Sequence, residues 1–195
     1  NITYHPTPKP YSRHRFLLNG GINLAGNLAG LLVRNGNRDS DVRGQILGIP
    51  YEQFARFDGE ARYYLDLTPG MRLANRFIGG LGIPYGNSLA LPQFKQYFAG
   101  GSTGIRAFRA RTLGPGTYHA DPVTQAIFGN NSFGDIRLEV NTELRFDITS
   151  IIEGAAFVDA GNIWNYRYDV GSPYPPEAVF SKDFYKEIAI GGGLG

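Results

Sequence analysis

Three arginines crowd one segment of the chain. Residues 98–116 read Phe-Ala-Gly-Gly-Ser-Thr-Gly-Ile-Arg-Ala-Phe-Arg-Ala-Arg-Thr-Leu-Gly-Pro-Gly, which sets Arg106, Arg109 and Arg111 among glycines, a proline and two phenylalanines. A guanidinium is a planar fork of donors that suits carboxylates, and it keeps its charge at any physiological pH. No helical or strand period runs through the segment, so it is a loop, and loops longer than about 12 to 15 residues are usually functional or disordered. Ile105, Phe108 and Leu113 argue for order, being costly to leave in water, and the glycines suit tight backbone turns.

Other chemistries find no residues to carry them. His5, His14 and His119 are scattered without ligand spacing, so no metal site is expected. There is no Gly-x-Ser-x-Gly elbow, and no Walker lysine follows Gly100-Gly101. No catalytic residue and no cofactor are expected. Gly191-Gly192-Gly193 has no helix after it and reads as a place of close packing rather than a nucleotide loop. The absence of cysteine excludes a disulfide scaffold and a thiolate metal site. With 19 basic against 17 acidic side chains the net charge is only +2, so no nucleic-acid partner is expected.

The elements that must position the arginines are strands. The 27 glycines are roughly twice the usual share of ~7%, and 13 phenylalanines and 12 tyrosines accompany them. That composition suits sheets with close backbone approaches better than helices. Residues 1–11, with Pro6, Pro8 and Pro10, cannot pair as a central strand and read as a connector. Strands of period two are expected at about 12–26, 53–67, 71–84, 134–148, 151–164 and 185–195, with a long loop at 85–133. In 134–148, Asp135, Arg137, Glu139, Asn141, Glu143, Arg145 and Asp147 alternate with Ile136, Leu138, Val140, Thr142, Leu144, Phe146 and Ile148. Phe57, Tyr63, Leu65 and Phe77 share the apolar side with Leu138, Leu144 and Phe146. Pairing Leu67 with Met71 across the turn at 68–70 sets Asp66 against Arg72. Pairing Asp147 with Ile151 across Thr149-Ser150 sets Arg145 against Glu153, and Glu139 against Asp159. Two facing carboxylates call for a cation, and Arg106 is the candidate.

Turns at one end are short (68–70, 149–150), and connections at the other are long (27–50, 84–133, 165–184). The strands run to about 10 to 15 residues, against about 5 to 6 for a soluble strand. A soluble sandwich explains the alternation but not the charges of both signs on such long strands, nor the one-sided turns. The pattern is that of an all-β, transmembrane antiparallel β-barrel with a lipid-facing band and a wet lumen. Closure is required in lipid, because an open edge leaves backbone groups unpaired. About six strands cannot close a barrel of this kind, so the chain is read as a piece of a longer protein. The long loops are expected at the cell surface and the short turns in the periplasm.

On these residues the chain resembles the outer-membrane surface-antigen superfamily typified by BamA and TamA, and it looks closest to TamA-like members. Gly100-Gly101 followed by Ile105-Arg106-Ala107-Phe108 matches the loop motif in which Val-Arg-Gly-Phe or Tyr lies at the tip of a loop folded into the lumen. Ala107 stands where many relatives have glycine. Phe157-Val158-Asp159-Ala160-Gly161 matches the Phe-x-Asp-x-Gly strand motif, and Glu143 matches the strand before it. The resemblance implies a sixteen-strand barrel, of which this chain supplies about strands nine to fourteen, preceded by periplasmic POTRA domains. It also implies insertion or translocation of other proteins at the bacterial outer membrane, without a cofactor. The partners it implies are outer-membrane lipid, unfolded outer-membrane or secreted clients, and periplasmic proteins reached through N-terminal domains. Similar barrels also anchor patatin-like lipase or metallophosphoesterase domains, and a passive pore is a third reading. The loop is expected to bring Arg106 to Asp159, with Glu139 or Glu143, while Phe108 packs near Phe157.

Overall fold

The computed structural model describes residues 2–4, 12–32, 44–88, 90–118, 132–168 and 175–195. Among the described residues there are nine strands: β1 (Ile2–Tyr4), β2 (His14–Ala25), β3 (Gln45–Ile46), β4 (Ile49–Pro50), β5 (Phe54–Thr68), β6 (Met71–Pro84), β7 (Ile136–Asp147), β8 (Glu153–Trp164) and β9 (Ala189–Leu194). Seven of them form one antiparallel sheet in the order β1-β2-β5-β6-β7-β8-β9, and β3 and β4 form a small hairpin. The large sheet is open at β1 and β9 and makes a partial barrel. A short helix, α1 (Asn27–Leu32), follows β2.

Period two fixes which side each residue takes. One cross-strand row runs Leu18, Ala61, Phe77, Val140, Ala160, Ile190, apolar at every strand it crosses. Phe16, Leu18, Ile22, Leu24, Phe57, Phe77, Val140, Val158 and Ile190 on this side are exposed. Tyr63, Leu65, Leu138, Leu144 and Phe146 share it, half-buried. The polar Asn75 and Thr142 on this side satisfy each other with a hydrogen bond at 3.1 Å, and such a face suits hydrocarbon rather than water. The other side carries the charges, held in ion pairs that run along and across strands: Arg72 with Asp66 at 2.5 Å, Arg62 with Glu60 at 2.8 Å, Arg56 with Asp58 at 3.0 Å and Arg145 with Glu143 at 2.6 Å.

The structure departs from the expected pairings at four places. Residues 2–4 are not a connector: they pair with Gly20, Asn19 and Leu18 and add a seventh strand. They precede the prolines, which bar a central strand but not a short edge. At the first hairpin Asp66 does face Arg72, but a bulge then sets Thr68 against Met71, leaving Pro69-Gly70 as the turn. At the second, Asp147 pairs with Glu153 rather than with Ile151, because the turn takes in 148–152. Ile148 and Thr149 both donate their N–H groups to the carbonyl of Ile152. The register is therefore two residues from the expected one: Arg145 faces Ala155, Glu139 faces Gly161, and Asn141 faces Asp159. A slip of two leaves every side chain on its proper face, so alternation could not detect it. Finally β9 starts at Ala189, since Phe184–Lys186 is a turn of 3-10 helix.

The long connections carry structure of their own. The first contains α1 and the β3–β4 hairpin; the polar run from Asn35 to Asp41 lies outside the described residues, as do His5 and His119. The second folds back along the charged side of the sheet, bridging at Tyr97 to Gly134 and closing on itself at Ala99 and Leu113.

Candidate functional site

The returning loop is pinned first by its ascending limb. Tyr97 exchanges backbone hydrogen bonds with Gly134 at 2.8 and 2.9 Å, and its ring is buried over Gly80 of β6. A Cβ on Gly80 would lie 2.6 Å from that ring, so only glycine leaves room for it. Gly82 likewise makes room for Leu91, whose side chain would lie 2.4 Å from an added Cβ. The Tyr97 hydroxyl accepts from Nε of Arg56 at 3.0 Å and has Asp58 Oδ1 at 3.0 Å and the Phe57 carbonyl at 3.1 Å for its one hydrogen. The Arg56 guanidinium also stacks 4.4 Å from the ring centroid. Burial pushes the phenol up to about 12.

Above Tyr97 the loop builds a small core. Tyr97, Ala99, Ile105, Leu113 and Ile163 pack together, with Phe108 and Ala189 against them. Gly100 and Gly101 take φ of 86° and 89°, the left-handed region that glycine tolerates. At Gly100 a Cβ would also lie 2.3 Å from the Arg109 carbonyl. The tip closes when Gly101 donates to the Phe108 carbonyl at 2.8 Å and Phe108 to that of Ile105 at 3.1 Å. Asn141 of β7 donates to the Gly104 carbonyl at 2.9 Å, and Arg76 of β6 donates to that of Thr103 at 2.8 Å.

That turn delivers Arg106 to the wall. Its backbone N–H and its Nε both donate to Asp159 Oδ2 at 2.9 Å, its Nη2 donates to Oδ1 at 2.9 Å, and its Nη1 meets Glu143. The guanidinium carbon sits 3.7 Å from the centroid of Phe157, which faces Glu143 across β7 and β8. The Asp159 side chain is fully buried. Bidentate, charge-assisted pairing of this kind is the strong form of hydrogen bond. The Arg106 pKa is raised, first by the hydrogen bonds to Asp159 and then by those to Glu143, so its charge is permanent.

The remaining expected site residues fall nearby in different roles. Glu139 is fully buried but pairs with Arg137 at 2.7 Å, not with Arg106. Its carboxylate lies beneath Gly104, where a Cβ would come within 3.2 Å of it. Gly161 faces Glu139, and a Cβ there would lie 2.3 Å from the Leu138 carbonyl. Phe108 packs on the Ile105 core, and it is Arg106 that covers Phe157. Ala107 sits over Gly191, where an added Cβ would lie 2.3 Å from its own, and Gly193 makes the same room for the Phe157 ring. The glycine run of β9 is thus a groove for the loop tip. Arg111, at φ 64°, lies between Phe98 and Phe133 at 5.3 Å from each ring. No group of three metal-ligating side chains occurs among the described residues.

Sequence reasoning missed Tyr97, Gly80 and Gly82. The signal for them is faint: on the charged side of β6, glycines replace the arginines of the opposite half.

No curated protein matches the chain in a direct sequence comparison. The profile of the Omp85 superfamily domain matches residues 39–195, which takes in the folded loop and both strands that hold Arg106. The open antiparallel sheet of seven strands is consistent with part of such a barrel. The chain therefore belongs to the Omp85 superfamily, whose outer-membrane β-barrels assemble or translocate other proteins.

Proposed function

We propose that the chain is the lumen wall and lumen loop of an insertase or translocase of the bacterial outer membrane, working without a cofactor. Its partners are outer-membrane lipid along the apolar side, unfolded outer-membrane or secreted client proteins, and periplasmic proteins recruited by N-terminal domains of the whole protein. The observation that carries the reading is the fork of Arg106 on Asp159 and Glu143, which ties a loop of one connection to two strands beyond it. A passive pore needs no such tie. In this reading the docked loop steadies β7 and β8, and its release couples the lumen to client engagement. Because Arg106 cannot lose its proton, release comes from displacement of the loop, not from titration of the arginine.

The test is reconstitution of the full-length protein in vesicles with an unfolded outer-membrane client and no nucleotide. Client insertion or passage well above that of empty vesicles, lost in Arg106→Ala, is the expected result. Steady ion conductance with no effect on any client is the result that would make it a pore.

A further inference from the structure

We infer that α1 and the β3–β4 hairpin form an apolar shelf that beds into the outer leaflet of the membrane, its occupant being lipid acyl chains. The first observation is the hairpin tip. Leu47 is 98 % exposed and takes φ 53°, with Gly48 at 80°. Both central residues of a two-residue turn of this type need positive φ, which suits Asn or Gly and is an outlier for a bulky side chain. Leucine at such a tip is thus unfavourable twice in water, through its backbone and through its side chain. An apolar medium removes the second penalty.

The neighbours repeat the pattern. Ile49 is 69 % exposed, and Leu28 and Leu31 of α1 are each 77 % exposed. Residues 24–32 and 44–51 contain no charged side chain. The polar anchors lie on one side only. Asn87 accepts from the Gly44 N–H at 2.6 Å and donates to the carbonyls of Gly44 and Tyr51 at 2.9 and 2.6 Å. The Gln53 side-chain Oε1 accepts from the Asn87 N–H at 2.8 Å, and its Nε2 lies against Gly30 of α1, 2.3 Å from where a Cβ would stand. Helix and hairpin are therefore pinned by their polar sides to the ends of β5 and β6, leaving Leu28, Leu31, Leu47 and Ile49 outward. The apolar side of β2, through Ile22 and Leu24, runs directly into α1, so the shelf continues a surface that already faces lipid. A protein partner would call for polar groups around such a patch; lipid does not.

The test uses the full-length protein in vesicles, with an environment-sensitive fluorophore on Leu47→Cys and, separately, on Leu31→Cys. Val140→Cys, read with lipids carrying the nitroxide deep in the acyl chain, serves as the lipid control and Lys182→Cys as the water control. Spin-labelled lipids carrying the nitroxide near the headgroup should quench positions 47 and 31 by about twofold or more, as for an apolar face bedded at the headgroup boundary. Aqueous iodide should quench position 182 instead. If iodide quenches positions 47 and 31 and the lipids do not, the shelf faces water and the inference fails. Shielding from both quenchers would mean that protein covers it, which also overturns the proposal. Failure at Val140 as well would remove the membrane reading itself, a separate result.

Discussion

Arg106 commits all three side-chain nitrogens and its backbone N–H to two carboxylates. Lysine could keep the charge but not the fork, losing one or two charge-assisted hydrogen bonds, so Arg106→Lys is expected to weaken loop docking by about 2 kcal/mol. The check is the maleimide labelling rate of a cysteine at Ile105, fully buried in the docked loop, which should rise strongly over the same cysteine in the native background. Tyr97 governs the other end of the loop. Its folded pKa lies above the ordinary value, so the neutral phenol favours the fold, fully below about pH 10, and that contribution is lost as pH rises through about 12. Unfolding followed across that window should show native protein losing stability relative to Tyr97→Phe; parallel curves would remove the buried phenol from the account. Charge among glycines made the loop conspicuous in the sequence, but Arg106 was singled out from Arg109 and Arg111 by the resemblance of its segment to the superfamily's loop motif. Period two puts Asp159 on the inner side, and the Phe-x-Asp-x-Gly resemblance singled it out there. The sequence left Glu139 and Glu143 as alternatives beside Asp159 for a physical reason: the carboxylate that Arg106 reaches is decided by register, and Glu143 lies beside Phe157 only in the pairing that the longer turn creates.

At the scale of strands, the apolar row from Leu18 to Ile190 sets the test of which face meets lipid. Val140 is central in that row, and Val140→Arg is expected to destabilise the barrel by ~2 to 4 kcal/mol near the bilayer midplane. Folding titrations in vesicles would measure this, and a change within experimental scatter would put Val140 outside the hydrocarbon. Glycine seats make a second expectation. Gly191→Leu should drive the loop tip off β9, because even a Cβ there would lie 2.3 Å from that of Ala107, and a cysteine at the buried Ile105 should again react faster. Strand faces were readable from alternation alone, and so was the asymmetry of turns and loops. Register was not, because a shift of two residues conserves every face. Strand ends were hidden where the chain leaves the sheet without a change of composition, as at Phe184–Lys186 before β9. The hairpin and α1 were hidden as well, being too short to show a period.

Over the whole molecule, the loop makes a strap from β5 to β8: Tyr97 is fastened at Arg56 and Asp58, and Arg106 at Asp159 and Glu143. The strap leaves the sheet at its long-loop end, which by the usual arrangement of such barrels faces the cell exterior. Protease added to intact cells should then cut within 27–53 or 165–184 and spare the turns at 68–70 and 148–152; cleavage at the turns would invert the orientation. The central claim is that Arg106 and Asp159 act as one unit that holds this strap in the lumen. A double-mutant cycle on the full-length protein, read by client assembly and by thermal stability, tests it most directly. Each of Arg106→Ala and Asp159→Ala should cost ~3 to 5 kcal/mol in stability if the remaining charge is left stranded. The account predicts that the double mutant is no worse than the poorer single mutant in either readout. Losses that simply add would show the two residues to be uncoupled and would contradict it.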